Sequence, residues 1–141
     1  DARPWMSVAQ MPVSDAGGDT HVFLWLQAEP DRIDSTLLDR LGRADQLLLS
    51  PASAWEIAIK SHLGKLVLPA EPSAYVPDRM SRSGVDPLPI EISHTLVAGG
   101  LPPHHRDPFD RLLVAQSQLS GIPLVTADRQ ITAYDVEVIR V

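Results

Sequence analysis

From residue 19 onward, short apolar runs alternate with amphipathic stretches of helical period. Thr20–Ala28 (THVFLWLQA) reads as a short buried helix, and Ser35–Ala44 as an amphipathic one with Leu37, Leu38 and Leu41 facing inward. Gln46–Leu49 fits a buried strand. Ser50-Pro51 then supplies an N-cap and a first-turn proline for a helix that runs to about His62 and ends at Gly64. A helix is expected over residues 72–83, with Pro77 as its weak point, then a strand at Pro87–Ile90 and a helix near Ser93–Ala98. The clearest pair follows, Pro108–Leu119 as a helix and Pro123–Thr126 (PLVT) as a strand. A short helix around Arg129–Tyr134 and an apolar strand Val136–Val141 close the chain.

Short apolar strands separated by helices imply an α/β fold, with a parallel sheet covered by helices on both faces. Ligands of such sheets bind beyond the carboxyl ends of the strands, where the helices begin. Residues 1–18 break the pattern: Pro4, Pro12, Gly17 and Gly18 are mixed with scattered apolar residues, with neither helical nor strand periodicity. They are expected to be an irregular N-terminal segment, a tail or a displaced first strand, ahead of one domain over 19–141.

Four acids fall at or just after the strand-to-helix junctions: Asp19 before THVFLW, Glu56 in SAWEIAIK, Asp110 in RDPFDRLL and Asp128 in LVTAD. Separate parts of the chain thus bring four carboxylates toward one crevice. Hard cations such as magnesium take oxygen ligands. Phosphodiester cleavage needs an activated water, neutralised phosphate charge and help for the leaving oxygen, all of which metal held by carboxylates supplies. Each acid also has a plainer reading. Asp19 and Asp128 each suit a helix N-cap. Glu56 lies four residues before Lys60 and suits a surface ion pair, although Trp55 and Ile57 on either side suggest a partly buried turn. Asp107, before Pro108, suits the cap of the helix that carries Asp110, with an outer-shell role at the acidic site as its alternative.

Charge and composition narrow the function. Among 141 residues, eighteen acids against twelve bases give a net charge of −6, which argues against a broad basic face for nucleic acid. Setting the four junction acids aside leaves fourteen, near balance with the twelve bases, so a local acidic pocket filled by metal remains open. The absence of cysteine excludes disulfides, thiolate metal sites and cysteine nucleophiles. No apolar run approaches the roughly 18 residues of a membrane span, and no secretory signal pattern is present, so a cytoplasmic protein is expected.

The strings DTHVFLW, SAWEIAIK…GKL, HRDPFDRLLVAQS and LVTAD resemble, in order and spacing, the motifs of PIN-domain toxins of the VapC type, over Asp19 to Val141. HRDPFDRLLVAQ is the most specific of them. The resemblance implies a PIN domain over 19–141, with a parallel sheet of about five strands between helices, usually in a homodimer. It implies a metal-dependent endoribonuclease using Mg²⁺ or Mn²⁺, commonly directed at structured RNA such as tRNA. A cognate VapB-type antitoxin would block it, completing a toxin–antitoxin system.

By the same resemblance, Asp19 and Asp110 are the principal metal ligands, with Glu56 and Asp128 completing the cluster. Thr126 and Thr20 are candidates for orienting neighbouring carboxylates. Arg106, Arg111, Lys60 and Lys65 flank the site and are candidate contacts to RNA phosphates. His104-His105 is expected to be a solvated loop pair, and Trp25 and Trp55 to be core or dimer contacts.

One departure bears on activity. In the family, apolar residues of the first strand run directly into the first aspartate, whereas here Ser14-Asp15-Ala16-Gly17-Gly18 precede Asp19. If Met6–Val13 supplies the central strand, a loop of about five residues must return Asp19 to the site. That segment favours a rival reading, a catalytically impaired PIN-fold subunit that binds an antitoxin without cleaving RNA; the acid cluster alone also permits a second rival, a metal-dependent phosphoesterase acting on DNA or a small phosphate ester.

Overall fold

A computed structural model describes residues 5–6, 22–28, 30–42, 47–126 and 129–140. The expectations for Asp19, Thr20 and Asp128 lie outside the described residues. The strands are β1 (Trp5–Met6), β2 (Leu47–Leu49), β3 (Val85–Pro87), β4 (Leu124–Thr126) and β5 (Val138–Arg140). The helices are α1 (Val22–Ala28), α2 (Ser35–Gly42), α3 (Pro51–His62), α4 (Pro72–Ser83), α5 (Ile92–Gly100) and α6 (Pro108–Ser120), with 3-10 turns at Pro30–Arg32 and Arg129–Ala133.

All strand pairs are parallel, in the order β3-β2-β1-β4-β5. The central position belongs to the N-terminal segment: Trp5 and Met6 pair with Leu47 and Leu48 on one side, and Met6 with Leu124 on the other. This strand lies earlier than the Val8–Val13 part of the apolar stretch. Residues 7–18, outside the described set, therefore separate it from Asp19.

Alternation along β2 gives the sheet a core on each face. Leu48 packs with Ala52, Leu113, Val114, Leu124, Ile131 and Tyr134, whereas its neighbour Leu49 packs with Phe23, Ile57, Val76 and Val85. One face is thus covered by α6 and the 3-10 turn after β4, and the other by α1, α3 and α4. Arg79 of α4 donates to Gln27 Oε1 of α1 at 3.0 Å, tying two of these three helices together.

Helix ends follow local chemistry. Ser50 caps α3, its hydroxyl accepting from the Ala52 N–H at 3.1 Å, and Pro51 follows at the first helical position. α4 continues through Pro77, an exposed position that cannot donate to the Ser73 carbonyl, while Val76 anchors the helix in the core. Gly84 and Gly121 end α4 and α6 in the left-handed region, at φ +68° and +69°.

The strand expected at Pro87–Ile90 lies two residues earlier, at Val85–Pro87. Pro89 has no N–H to give a ladder, and Gln116 Nε2 of α6 donates to the Leu88 and Pro89 carbonyls at 3.1 and 3.3 Å. Leu88 and Ile90 pack against the Leu113 cluster instead. Leu88 still donates its N–H to the Leu49 carbonyl of β2 at 2.9 Å, and beyond it the apolar run serves packing rather than sheet pairing.

Candidate active site

β2 and β4 end at the same edge of the sheet, and both α3 and the N-terminus of α6 meet there. α3 leaves β2 through the single residue Ser50, so Glu56 comes only two turns beyond the strand end. Trp55 of α3 and Phe109 of α6 meet edge to face, with ring centroids 5.2 Å apart and planes at 82°. Their chain neighbours, Glu56 and Asp110, are both buried, at 1% and 0% exposure. Trp55 is itself largely exposed, so it is not the core contact that was one of its two expected roles. The side chain of Trp25 lies outside what is described.

Asp107 is the N-cap of α6, its carboxylate accepting from the Phe109 and Asp110 N–H groups at 2.8 and 3.4 Å. Pro108 occupies the first helical position, where its missing N–H costs nothing. Asp110 then falls in the first turn, where the unpaired N–H dipoles favour negative charge. One short segment therefore fixes both carboxylates.

Glu56 is the electrostatically unusual group. Neither of its carboxylate oxygens has a hydrogen-bond partner among the described residues. Burial, and then the negative charges of Asp110 and Asp107, push its pKa up from 4.5 to about 8, while Lys60 and His105 pull in the opposite direction. A divalent cation would relieve both the desolvation and the mutual repulsion, so this donor set fits a hard, oxygen-seeking metal. Among the described residues, no group of three or more acidic, histidine or cysteine side chains forms a complete metal cage. Asp19 and Asp128 fall outside those residues, and Thr126 is buried at the end of β4, two residues before Asp128.

Several of the candidate cations have other surroundings than expected. Lys60 is buried, at 3% exposure, and acts on Glu56 from within the fold rather than from an exposed RNA-facing surface. Arg111 is also engaged, its guanidinium donating to the Ala98, Leu101 and Pro102 carbonyls at 2.9, 2.8 and 3.0 Å. Arg106 and Lys65 are exposed.

The histidine pair divides. His104 is exposed and meets Tyr134 edge to face, with centroids 5.0 Å apart. His105, expected to be solvated, is 7% exposed, and its Nε2 lies 2.8 Å from Asp110 Oδ2. The reason is the tight turn into α6, which folds the residue two before the cap back onto the first helical turn. Tyr134, which holds that turn from 29 residues away, carried no signal in the sequence.

Comparisons with known proteins agree with this architecture. The PIN domain family model matches residues 19–137. Ribonuclease VapC16 of Mycobacterium tuberculosis (strain ATCC 25618 / H37Rv) is 55% identical over 51 residues, a stretch that spans 36% of this chain and 36% of that protein. Ribonuclease VapC22 of the same organism is 28% identical over 117 residues, covering 82% of this chain and 88% of the relative. A solved structure of FitAB bound to an IR36 DNA fragment superposes with a TM-score of 0.56 at 14% identity, covering 82% of this chain and 90% of that one, which bears on the fold alone. With a family match across most of its length, this chain belongs to the PIN-domain family and is similar to ribonucleases of the VapC type.

Proposed function

We propose that the protein is a toxin endoribonuclease of a toxin–antitoxin system, hydrolysing RNA phosphodiester bonds with a divalent metal, Mg²⁺ or Mn²⁺. The observation that carries this reading is Glu56, a carboxylate with no hydrogen-bond partner among the described residues, whose pKa is raised by burial and then by the charge of Asp110. Such a pair is costly in a structural role and useful in a metal site. The relatives named as ribonucleases support the choice of RNA as substrate.

In this reading Glu56 and Asp110 hold the metal together with Asp19 and Asp128. When bound, the metal lowers the pKa of a coordinated water and neutralises charge on the scissile phosphate. Asp107 fixes the first turn of α6, so Asp110 presents its carboxylate from a rigid backbone. Lys60 limits the repulsion on Glu56 from within. Thr126 and Thr20 orient neighbouring carboxylates, and of the four candidate phosphate contacts Arg106 and Lys65 are the exposed ones.

The partners are RNA, a VapB-type antitoxin and, in a homodimer, a second copy of the chain. An apolar stripe on α3, with Trp55 64% and Leu63 60% exposed and Val67 90% exposed just beyond it, supports a protein partner. No helix among the described residues is long and apolar enough to cross a membrane. A cytoplasmic location follows from the substrate proposed.

The catalytically impaired subunit is favoured by one observation, the residues 7–18 that separate the central strand from Asp19. A substrate panel decides among the readings: tRNA, single-stranded DNA and a chromogenic phosphodiester, each with Mn²⁺ and with EDTA. Metal-dependent cleavage of RNA alone is the expected result. Turnover of the phosphodiester or of DNA in preference to RNA would contradict it, and cleavage of none by folded protein would favour the impaired subunit or an RNA target outside the tRNA pool.

A further inference from the structure

The loop that leads into α6 is braced along its backbone. The Pro102 carbonyl accepts from the His104 N–H at 2.9 Å, from Arg111 Nη1 at 3.0 Å and from the Tyr134 hydroxyl at 2.9 Å. The same Tyr134 oxygen accepts from the His105 N–H at 2.9 Å, and Arg111 Nη1 also reaches the His105 carbonyl at 3.3 Å. Arg111 Nη2 ties the loop to the end of α5 through the Ala98 and Leu101 carbonyls, at 2.9 and 2.8 Å. A loop held by such directed bonds has little backbone freedom left to lose when a ligand arrives.

Side chains along this loop alternate, with His104 exposed, His105 buried and Arg106 exposed. His105 turns toward the acidic site, its Nε2 lying 2.8 Å from Asp110 Oδ2. Its two neighbours therefore start about 3.8 Å of backbone to either side of a residue that touches Asp110, and both reach solvent. The His104 ring is held from below: it meets the Tyr134 ring edge to face, with centroids 5.0 Å apart and planes at 70°, and Tyr134 is itself only 6% exposed. A guanidinium and an oriented imidazole thus stand side by side at the edge of an acidic pocket, against the chain's net charge of −6.

We propose that His104 and Arg106 together hold one RNA phosphate, the one next to the phosphodiester that is cut. Arg106 supplies charge and paired N–H donors, and His104 supplies an imidazole N–H of fixed direction. Arg111 and Tyr134 act through the loop, by holding the two side chains at one spacing. Both His104 and Arg106 are positioning residues for the substrate and leave the metal to the carboxylates.

The inference rests on the RNA-cleaving reading, and the experiment separates the two. Binding of fluorescein-labelled bulk tRNA is followed by anisotropy across a salt series, with Asp110→Asn in the full chain so that the RNA stays intact. The same loop substitutions are made without Asp110→Asn, and kcat and KM are measured in Mn²⁺. Arg106→Ala is expected to weaken binding about tenfold and to lower its salt dependence by about one charge, which Arg106→Lys restores. His104→Ala and His104→Phe are both expected to weaken binding severalfold, although phenylalanine keeps a ring against Tyr134. Each loss is expected in KM for RNA, with kcat unchanged. Because the two side chains share one phosphate, the double substitution His104→Ala with Arg106→Ala is expected to lose less than the product of the single losses.

If the unaltered chain cuts no RNA and the Asp110→Asn chain binds none, the RNA reading fails and this inference fails with it. If RNA is bound and cut while His104→Phe stays within twofold of the unaltered loop, His104 only covers Tyr134 and the shared site is wrong. If the single losses multiply in the double variant, the two residues meet different phosphates and the one-phosphate site is overturned. Should His104→Ala fail to fold, His104→Phe, which keeps the packing, decides.

Discussion

The charge of Asp110 raises the proton affinity of Glu56, with burial as the larger cause, so that Glu56 ionises only near pH 8. The two side chains come from different helices, and the edge-to-face contact of their neighbours Trp55 and Phe109 holds those helices together. Two buried carboxylates in one place are a liability for an empty fold and an asset for a metal site.

The first consequence is a pH dependence of the metal-free protein. Glu56 ionises near its ordinary 4.5 in the unfolded chain and near 8 in the folded one. Its contribution to stability is therefore complete below pH 4.5 and is lost as pH rises through about 8. Thermal melts in EDTA should show Tm falling across that window. Glu56→Gln should flatten the fall, and Mn²⁺ should reverse it in the unaltered protein only.

Asp110→Asn should abolish cleavage while leaving the fold intact, because it removes a charge with almost no change of volume. The same substitution removes one cause of the Glu56 shift. Titration of Glu56 followed by carboxyl-carbon NMR should then move below the value of about 8. An unchanged titration would show that the two groups do not interact.

Asp107 separates capping from outer-shell support. Asp107→Ala should cost about 1 kcal/mol, the usual loss for an N-cap. Asp107→Ser keeps a capping oxygen without the charge and should retain both stability and cleavage. Denaturation and activity of the two variants are the check, and an inactive but stable Asp107→Ser would assign the charge a part in the chemistry.

Lys60 and Lys65 should behave differently although both were candidates for phosphate contact. Lys60 is buried and lowers the Glu56 pKa, so Lys60→Met should raise that pKa beyond about 8. It should leave the salt dependence of RNA binding unchanged. Lys65→Ala, at an exposed position, should reduce the salt dependence by about one charge.

Much of this was legible in the chain because its signals are local. Ser50-Pro51 and Asp107-Pro108 start α3 and α6 by capping chemistry that acts within three residues, and both helices begin where those pairs stand. Alternation at Leu48 and Leu49 needs only the two-residue period of a strand. What stayed hidden depends on distant partners. His105 resembled a solvated loop residue because Tyr134, 29 positions away, is what holds it down. Lys60 resembled a surface cation because helical spacing gives its neighbour on the helix but not its depth. The strand expected at Pro87–Ile90 shifted because Gln116, 28 residues after Leu88, takes the carbonyls that a ladder would have used. The central strand at Trp5–Met6 was beyond local pattern, since two residues carry no period.

The most direct test is cleavage of total tRNA by the purified protein with Mg²⁺ or Mn²⁺, with EDTA and Asp110→Asn as controls. Cleavage that requires the metal and is lost in both controls is the expected result. Equal cleavage by Asp110→Asn, or cleavage that survives EDTA, would contradict a metal-dependent site built on Glu56 and Asp110.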